Sequence, residues 1–302
     1  MARIGVVLSS GGGRGVYGHT GFLLALEKLG IDINAISGCS AGAVVGGVAA
    51  SGADLHHWSE VIANIKTQEY WTPESWPRFL WKLTVNKGRG YTGISDTTAA
   101  VEFCRRNLAV QRFEDCRIPL HVLATNLGSG AKTLFAEGEL APRIMASAAM
   151  PVLYRPVEID GEMYCDGAAM EFAPTEALCC RHKLDAVIVH HTAVHRDGQQ
   201  GLRRALDQPW SMVEILYLLI YRHRPWYLSD QPLTIRACQG GCGVPIIVVE
   251  PQLPELVWPL SNGGPQVQAA AMAQVETMLG PYAEVLLSDP GKLHQIKNVS
   301  FN

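Results

Sequence analysis

The chain has 302 residues, of which 48% are hydrophobic and 18% are charged. This length and composition suffice for a sizeable buried core, in one large domain or two modest ones. The formal net charge of −3 gives no electrostatic case for a nucleic-acid partner, which argues against that class of function. The low share of charged residues suits a surface that contacts lipid.

The first predicted element is a strand at residues 3–8, and a glycine-rich loop follows it directly. Gly11, Gly12 and Gly13 are consecutive in this loop. Their backbone N–H groups form a nest that suits an anion, and two such donors are what the oxyanion of an acyl-transfer intermediate requires. We therefore predict an oxyanion hole here. Arg14, a planar multiple donor, suits either a substrate phosphate or support of the loop.

A dinucleotide site is the alternative for this loop, because residues 13–18 formally match Gly-x-Gly-x-x-Gly. Such a site needs Asp or Glu at the end of the second strand, where the carboxylate binds the ribose. Here the second predicted strand leads to Ser40, and Asp32 lies before that strand. The dinucleotide alternative is therefore disfavoured.

The second predicted strand, residues 33–36, leads into a Gly-x-Ser-x-Gly turn centred on Ser40 and then into a helical segment. Strand, sharp turn and helix is the context in which a serine becomes a nucleophile. Gly38 and Gly42 let the strand and the helix pack without Cβ clashes. Because a single pattern of this kind also arises by chance, the neighbouring motifs decide its weight.

Two apolar inserts interrupt the alternation of strands and helices. Residues 70–81 hold three of the seven tryptophans beside prolines, and residues 210–226 form a helix-like stretch too short and interrupted to span a bilayer. Ordinary core packing is the favoured interpretation of both. A lid or an interfacial face that contacts lipid is the open alternative.

After a strand at residues 120–124 and a hairpin-like stretch at 156–165, the chain reaches Asp166-Gly167-Ala168. An Asp-Gly pair alone usually marks a turn. Its position after the glycine loop and the Ser40 turn makes Asp166 a candidate functional residue.

These motifs, with an Ala-Ser-Ala-Ala-Met-Pro segment before Asp166, resemble the patatin-like phospholipase family in kind and in order. The resemblance covers residues 3–191. It implies that Ser40 is the nucleophile and Asp166 the second member of a Ser/Asp dyad without histidine. It also places the three consecutive glycines in the family's oxyanion loop and Arg14 on its basic residue, while Ser10 replaces the first glycine of the family pattern.

The chemistry of such a dyad follows from its groups. A serine hydroxyl becomes nucleophilic when a hydrogen-bonded base removes its proton, and desolvation raises the pKa of a carboxylate towards neutrality. Asp166 is predicted to be that base. Ser40 then attacks the ester carbonyl, the glycine loop stabilises the oxyanion, and Asp166 activates water to release the acid. This scheme uses no metal and no organic cofactor.

A Ser-acid-His triad is the rival scheme, and three histidines follow the predicted strand at 186–190. An ordinary α/β-hydrolase carries its serine turn after several strands, whereas this chain carries it after the second. We therefore expect His190, His191 and His195 to be surface residues at a strand end. His19 is expected to pack against the glycine loop or to cap it.

The eight cysteines lack a paired spacing typical of zinc, and nothing before the first strand resembles a signal peptide. The expectation is reduced thiols in the cytoplasm, with peripheral membrane contact and export by a signal-free route left open. Cys238 and Cys242 flank a glycine-rich turn, for which metal binding or oxidation is the disfavoured alternative.

The last predicted elements are a strand at 245–250 and helices over 266–287. The alternation predicts an α/β fold with a predominantly parallel central sheet layered by helices, and the resemblance makes that fold patatin-like. We expect a single domain over residues 1–302, with the motif-bearing core at 3–191 and the C-terminal helices and strand of 202–290 packed on it.

The expected function is a serine acyl hydrolase that cleaves carboxylic ester bonds of lipids. Phospholipid or lysophospholipid as the substrate follows from the resemblance, not from the spacing of residues. Two alternatives stay open: a small-ester hydrolase or acyltransferase with the same dyad, and a nonenzymatic module that binds lipid or a partner.

Overall fold

A computed structural model describes residues 1–193, 198–207, 211–221, 224–256 and 263–295. The strands are β1 (Ile4–Leu8), β2 (Ile33–Cys39), β3 (Gly93–Ser95), β4 (Leu120–Asn126), β5 (Lys132–Phe135), β6 (Val152–Tyr154), β7 (Val157–Ile159), β8 (Glu162–Asp166), β9 (Ala186–His190), β10 (Leu233–Ala237) and β11 (Pro245–Val249). The helices are α1 (Gly12–Lys28), α2 (Ala41–Ser51), α3 (Leu55–Ala63), α4 (Trp76–Thr84), α5 (Thr98–Asn107), α6 (Leu140–Ala148), α7 (Glu176–Cys179), α8 (Gly198–Asp207), α9 (Ser211–Ile220), α10 (Gly264–Leu279) and α11 (Ala283–Ser288).

Within the described residues, nine strands form one sheet with the order β10-β11-β9-β1-β2-β4-β8-β7, and β5 also pairs with β4. The central strands β11, β9, β1, β2 and β4 are parallel to one another. The strands outside them pair in the antiparallel sense. The prediction of an α/β fold with parallel strands at the centre of the sheet is therefore confirmed, and the antiparallel strands on either side make the whole sheet mixed.

The sheet is buried on both faces, which explains why β1 and β11 are apolar along their whole length. All five residues of β1, of β9 and of β11 are buried. Alternate residues of β1 join different cores: Ile4 and Leu8 pack with the layer that contains α1 and α10, whereas Val7 packs with Leu178 of α7. The helices thus form a layer on each side of the sheet.

Strand β2 is longer than the sequence predicts, because it continues from Ile36 to Cys39. Ser37 and Gly38 pair with β1, and Cys39 pairs with β4. The extra residues carry the strand directly to Ser40. The other predicted central strands match the observed ones to within two residues at each end.

Candidate active site

Ser40 forms the sharp turn between β2 and α2, with φ of 54° and ψ of −117°. Residues other than glycine rarely adopt a positive φ. A Cβ atom at Gly38 would lie 2.4 Å from the carbonyl oxygen of Gly42, and one at Gly42 would lie 2.1 Å from that of Leu8. Larger residues would push the strand and the helix apart, which is the reason predicted for both glycines.

The sheet register brings Asp166 to Ser40. Strand β4 lies between β2 and β8, and it pairs Leu123 with Cys39 and the next residue, Ala124, with Asp166. Because β8 runs antiparallel to β4, its last residue arrives beside the end of β2. The Ser40 Oγ donates a hydrogen bond of 2.7 Å to the Asp166 Oδ2.

Burial sets the protonation chemistry of this carboxyl. Asp166 is 1% exposed, and desolvation raises its pKa from 3.8 to about 7. The N–H of Ala168, 2.8 Å from Oδ1, and the Ser40 hydroxyl stabilise the ionised form and oppose that rise. A base whose pKa lies near neutrality is suited to accept and return a proton at physiological pH.

The glycine loop lies where β1 ends and α1 begins, and Gly12 is the first residue of that helix. The N–H groups of a first helical turn have no acceptor within the helix. A Cβ atom at Gly15 would lie 2.9 Å from the Cβ of Ala41, so the start of α1 lies against the start of α2. Two helix N-termini, both favourable to negative charge, therefore meet beside Ser40.

Arg14 points from the first turn of α1 to two loops that follow strands of the sheet. Its guanidinium donates to the carbonyl oxygen of Leu253 at 3.2 Å and to that of Thr192. These bonds fasten the segments after β11 and β9 to the glycine loop. Of the two roles predicted for Arg14, this geometry favours support of the loop over contact with a substrate phosphate.

The histidines after β9 differ from the sequence expectation. His190 and His191 are both fully buried, so their prediction as surface residues is wrong. The Nδ1 of His190 lies 2.8 Å from the Nδ1 of His19, and the Nδ1 of His191 lies 3.0 Å from the hydroxyl of Tyr227. They are buried because β9 is an interior strand. His195 lies outside the described residues.

His19 caps the glycine loop, as the sequence predicts, with its Nε2 2.7 Å from the carbonyl oxygen of Ser9. Since Nε2 must donate to that oxygen, Nδ1 of His19 accepts from His190, and both rings are neutral. Burial lowers the pKa of His19 to about 4 and lowers that of His190. Because the folded pKa lies below the unfolded one, stability is present above pH 6.5 and is lost as the pH falls towards 4.

We expect His190→Gln and His191→Gln to keep turnover on a soluble ester within about tenfold of the parent, because a working general base contributes about a hundredfold or more. Their ring nitrogens bond to His19 and Tyr227, whereas the Ser40 hydroxyl bonds to a carboxylate. Circular dichroism checks that each variant is folded. A hundredfold loss in a folded variant, or in His195→Gln, would favour a triad.

Sequence reasoning missed two residues beside the site. Ser147, within the Ala-Ser-Ala-Ala-Met-Pro segment, accepts a hydrogen bond of 2.9 Å from the N–H of Ser40. Tyr221 follows α9, and its hydroxyl lies 2.7 Å from the Ser10 Oγ while its ring stacks on Phe172. The motif offers a signal for Ser147, but none in the chain connects residue 221 with residue 10.

The aromatic insert, residues 70–81, exposes two tryptophans for which core packing was the favoured interpretation. Trp76 is 67% exposed and Trp81 is 55% exposed, so that expectation is wrong for both side chains. Trp71 is half-buried, and its ring packs edge-on against Tyr154 at 5.2 Å between centroids. In the second insert, Trp210 lies outside the described residues and Trp226 is 39% exposed.

Four of the eight cysteines lie close together in the structure although they come from two distant parts of the sequence. The Sγ atoms of Cys179, Cys180, Cys238 and Cys242 all lie within 4.8 Å of one another. Sequence reasoning found no paired spacing typical of zinc and singled out only Cys238 and Cys242. Cys180 lies 58 positions before Cys238, so the spacing along the chain does not reveal the cluster.

The chain matches the family described as Patatin-like phospholipase over residues 6–178, which is more than half of its length. The chain belongs to the patatin-like phospholipase family. The matched segment contains the glycine loop, Ser40 and Asp166. Within the described part of the chain, none of the helices has both the length and the apolar character that crossing a bilayer requires.

Patatin-family relatives share only part of their length with this chain. An uncharacterized NTE family protein of Mycobacterium tuberculosis is 32% identical over 174 residues, which are 57% of this chain and 44% of that protein. Lysophospholipase NTE1 of Cryptococcus neoformans is 32% identical over 190 residues, which are 62% of this chain and 11% of that protein. The chain thus spans less than half the length of either relative.

A solved structure of human GIVD cytosolic phospholipase A2, in complex with a methyl gamma-linolenyl fluorophosphonate inhibitor and terbium chloride, superposes with a TM-score of 0.52. Its sequence identity is 12%, and the superposition covers 97% of this chain and 60% of that one. At this identity the likeness concerns the fold, and it agrees with the patatin-like architecture.

Proposed function

We propose that this chain is a serine acyl hydrolase of lipid esters, acting on phospholipids or lysophospholipids. The observation that carries the proposal is the 2.7 Å hydrogen bond between the Ser40 hydroxyl and the buried Asp166 carboxylate. The lysophospholipase relatives support the lipid class of the substrate. The dyad supports the reaction type.

In this proposal the ionised Asp166 takes the Ser40 proton as Oγ attacks the ester carbonyl. Protonated Asp166 then gives that proton to the departing alcohol, which leaves an acyl group on Ser40. The same carboxylate next removes a proton from water as the water attacks the acyl-enzyme. Asp166 then gives this proton to the Ser40 Oγ as the fatty acid leaves, which restores the hydroxyl and the carboxylate. Asp166 is therefore protonated after each nucleophilic attack and ionised again after each leaving group departs.

The oxyanion donors in this scheme come from the first turn of α1. The N–H of Ser40 already donates to Ser147, so it is engaged elsewhere. The amides at Gly12 and Gly13 belong to a helix N-terminus that lies against the start of α2. Donors held there before the reaction stabilise developing negative charge without reorganisation.

Substrate access requires part of the site to open. Ser40 is 5% exposed and Asp166 is 1% exposed, so a lipid ester cannot reach the hydroxyl in the closed arrangement. Tyr221 packs in one apolar cluster with Cys39 and Met150, next to the dyad. We assign the cover of the site to this tyrosine and to the end of α9 that carries it.

We assign lipid contact to α4. Its exposed apolar side chains are Trp76, Leu80, Trp81 and Leu83, and Val85 follows the helix. Tryptophan side chains on an amphipathic helix favour the headgroup region of a bilayer, and basic residues add attraction to anionic lipids. Helix α4 offers Arg78 for this attraction, whereas Lys82 on the same helix pairs with Glu74 at 2.7 Å.

The chain connects α4 to the active-site end of the sheet. Pro73, just before the helix, bridges to Ser95 of β3, and β3 pairs with β6. Strand β6 follows α6, the helix that carries Ser147. These contacts link the start of α4 to the segment that follows Ser147, and we propose that lipid bound at α4 enters the site from this side.

We expect the double variant Trp76→Ser/Trp81→Ser to lose about tenfold in turnover on anionic phospholipid vesicles while keeping turnover on a short-chain soluble ester within about twofold. Both side chains are exposed, so the fold should tolerate the change. The soluble ester serves as the control for bond cleavage, and vesicle sedimentation measures binding.

Full vesicle activity in the folded double variant would remove α4 from the proposal. Equal loss on both substrates would also contradict it, since interfacial binding does not enter the soluble assay. A matched variant, Trp226→Ser, tests the second apolar insert. Vesicle-specific loss in Trp226→Ser alone would transfer the contact to that insert.

A fluorophosphonate probe tests the proposed function directly. We expect rapid stoichiometric labelling of Ser40 at pH 8, identified by peptide mass spectrometry, and none in Ser40→Ala. A folded chain that binds vesicles but neither reacts with the probe nor cleaves esters would be a lipid-binding module. Added alcohol acceptors distinguish the remaining alternative, because an acyltransferase would form new esters in preference to free acid.

A further inference from the structure

The cluster of Cys179, Cys180, Cys238 and Cys242 has the dimensions of a four-sulfur metal site. The Sγ–Sγ distance is 3.7 Å between Cys179 and Cys180, 3.5 Å between Cys180 and Cys238, and 2.9 Å between Cys238 and Cys179. In a tetrahedral zinc site with Zn–S bonds of about 2.3 Å, the sulfur atoms lie about 3.8 Å apart. Small side-chain rotations therefore suffice to enclose an ion.

We propose that these four cysteines bind one zinc ion as thiolates in a structural site. Sulfur ligands in tetrahedral arrangement favour zinc or iron over calcium, magnesium and manganese, which prefer oxygen. Four protein ligands leave no open position, and such closed sites stabilise a fold rather than catalyse a reaction. Binding displaces one proton from each thiol to solvent and changes no oxidation state.

The turn that carries Cys238 and Cys242 is shaped around sulfur. A Cβ atom at Gly240 would lie 2.5 Å from the Sγ of Cys180, so the turn can approach that sulfur only with glycine here. The Sγ of Cys242 lies 3.2 Å from the carbonyl oxygen of Cys179, so the turn is packed against the end of α7.

The cluster joins two parts of the fold that are distant in sequence. Cys179 ends α7 and Cys180 follows it, whereas the other two cysteines lie in the turn between the antiparallel strands β10 and β11. An ion here would fasten the edge of the sheet to the segment before β9. Cys180 and Cys242 are exposed, so zinc and chelators can reach the site from solvent.

The site lies at the opposite end of the sheet from the dyad. The cysteines precede the parallel strands β9 and β11, whereas Ser40 follows the parallel strand β2. A strand of five residues is about 17 Å long. The ion would therefore contact neither the substrate nor Asp166, and removing it should affect stability before it affects turnover.

The first test measures metal in the full chain, purified under reducing conditions from zinc-supplemented cells. We expect about one zinc per chain by mass spectrometry of the metal, and tetrahedral thiolate absorption after cobalt exchange. Stripping the zinc should lower Tm by about 5–10 °C, and returning it should restore Tm. Iron instead of zinc, no bound metal, or a disulfide within the cluster that prevents loading would overturn the proposal.

The second test uses Cys242→Ser, which changes an exposed ligand on the turn, and Cys116→Ser, a cysteine outside the cluster, as the matched control. We expect zinc content to fall in the first variant and to stay at the parent level in the control. Turnover on a soluble ester, measured well below Tm, should stay within about twofold in both. Parent-level zinc in Cys242→Ser would overturn the ligand assignment. Loss of turnover in step with metal removal in a folded chain would overturn the structural role.

Discussion

Ser40→Ala and Asp166→Asn should each abolish esterase turnover while leaving the chain folded. The nucleophile and its base act as one unit, and loss of a nucleophile in such a unit costs on the order of a millionfold in rate. Ser40→Ala removes the attacking atom. Asp166→Asn leaves a side chain of similar shape that cannot accept the serine proton, so the hydroxyl stays a weak nucleophile. Steady-state turnover on a soluble ester measures both.

Matched controls separate chemistry from damage to the fold. Asp160→Asn is the control for Asp166→Asn and changes a carboxyl that is 85% exposed. Ser129→Ala is the control for Ser40→Ala and removes an exposed hydroxyl. Both controls should keep parent turnover, and thermal unfolding should show that all four variants fold. Near-parent turnover in a folded Asp166→Asn chain would remove the dyad from the mechanism, whatever the family resemblance implies.

Local sequence patterns mark the turns that carry Ser40 and Asp166, whereas the pairing of the two residues, 126 positions apart, was implied by the resemblance to the patatin-like family. Gly38 and Gly42 are required by backbone contacts within a few residues of Ser40 or with the adjacent strand. Asp166 ends a hairpin whose turn is indicated by the Asp160-Gly161 pair. Both residues have a positive φ, 52° at Asp160 and 81° at Gly161. Because these contacts are local, the two turns can be predicted without knowing the order of the strands in the sheet.

Residues whose role depends on distant partners could not be predicted in the same way. His190 is buried because β9 lies between β1 and β11, and this strand order is not readable from the chain around residue 190. Tyr221 reaches Ser10 across 211 positions. The exposure of Trp76 was also misjudged, since an amphipathic pattern states that a face is apolar but not what covers it.

Turnover should rise with pH, with a midpoint near 7, because Asp166 must be ionised to accept the serine proton. Burial raises the pKa of this carboxyl from 3.8 to about 7, so at pH 5 about 1% of the sites hold the base form. We expect kcat/KM to fall about tenfold per pH unit below the midpoint, and about a hundredfold from the plateau to pH 5. Initial rates on a soluble, non-ionising ester measure this profile.

The same shift predicts an opposite trend in stability. A carboxyl with a raised folded pKa contributes stability fully below its unfolded pKa of 3.8 and loses it as the pH rises through 7. Asp166→Asn cannot ionise, so its free energy of unfolding relative to that of the parent should rise between pH 5 and pH 7 and level off above pH 7. The buried histidines titrate in both proteins and cancel in this difference. A flat kcat/KM profile from pH 5 to 8, or a difference that shrinks with pH, would show that Asp166 is not the buried base that turns Ser40 into a nucleophile.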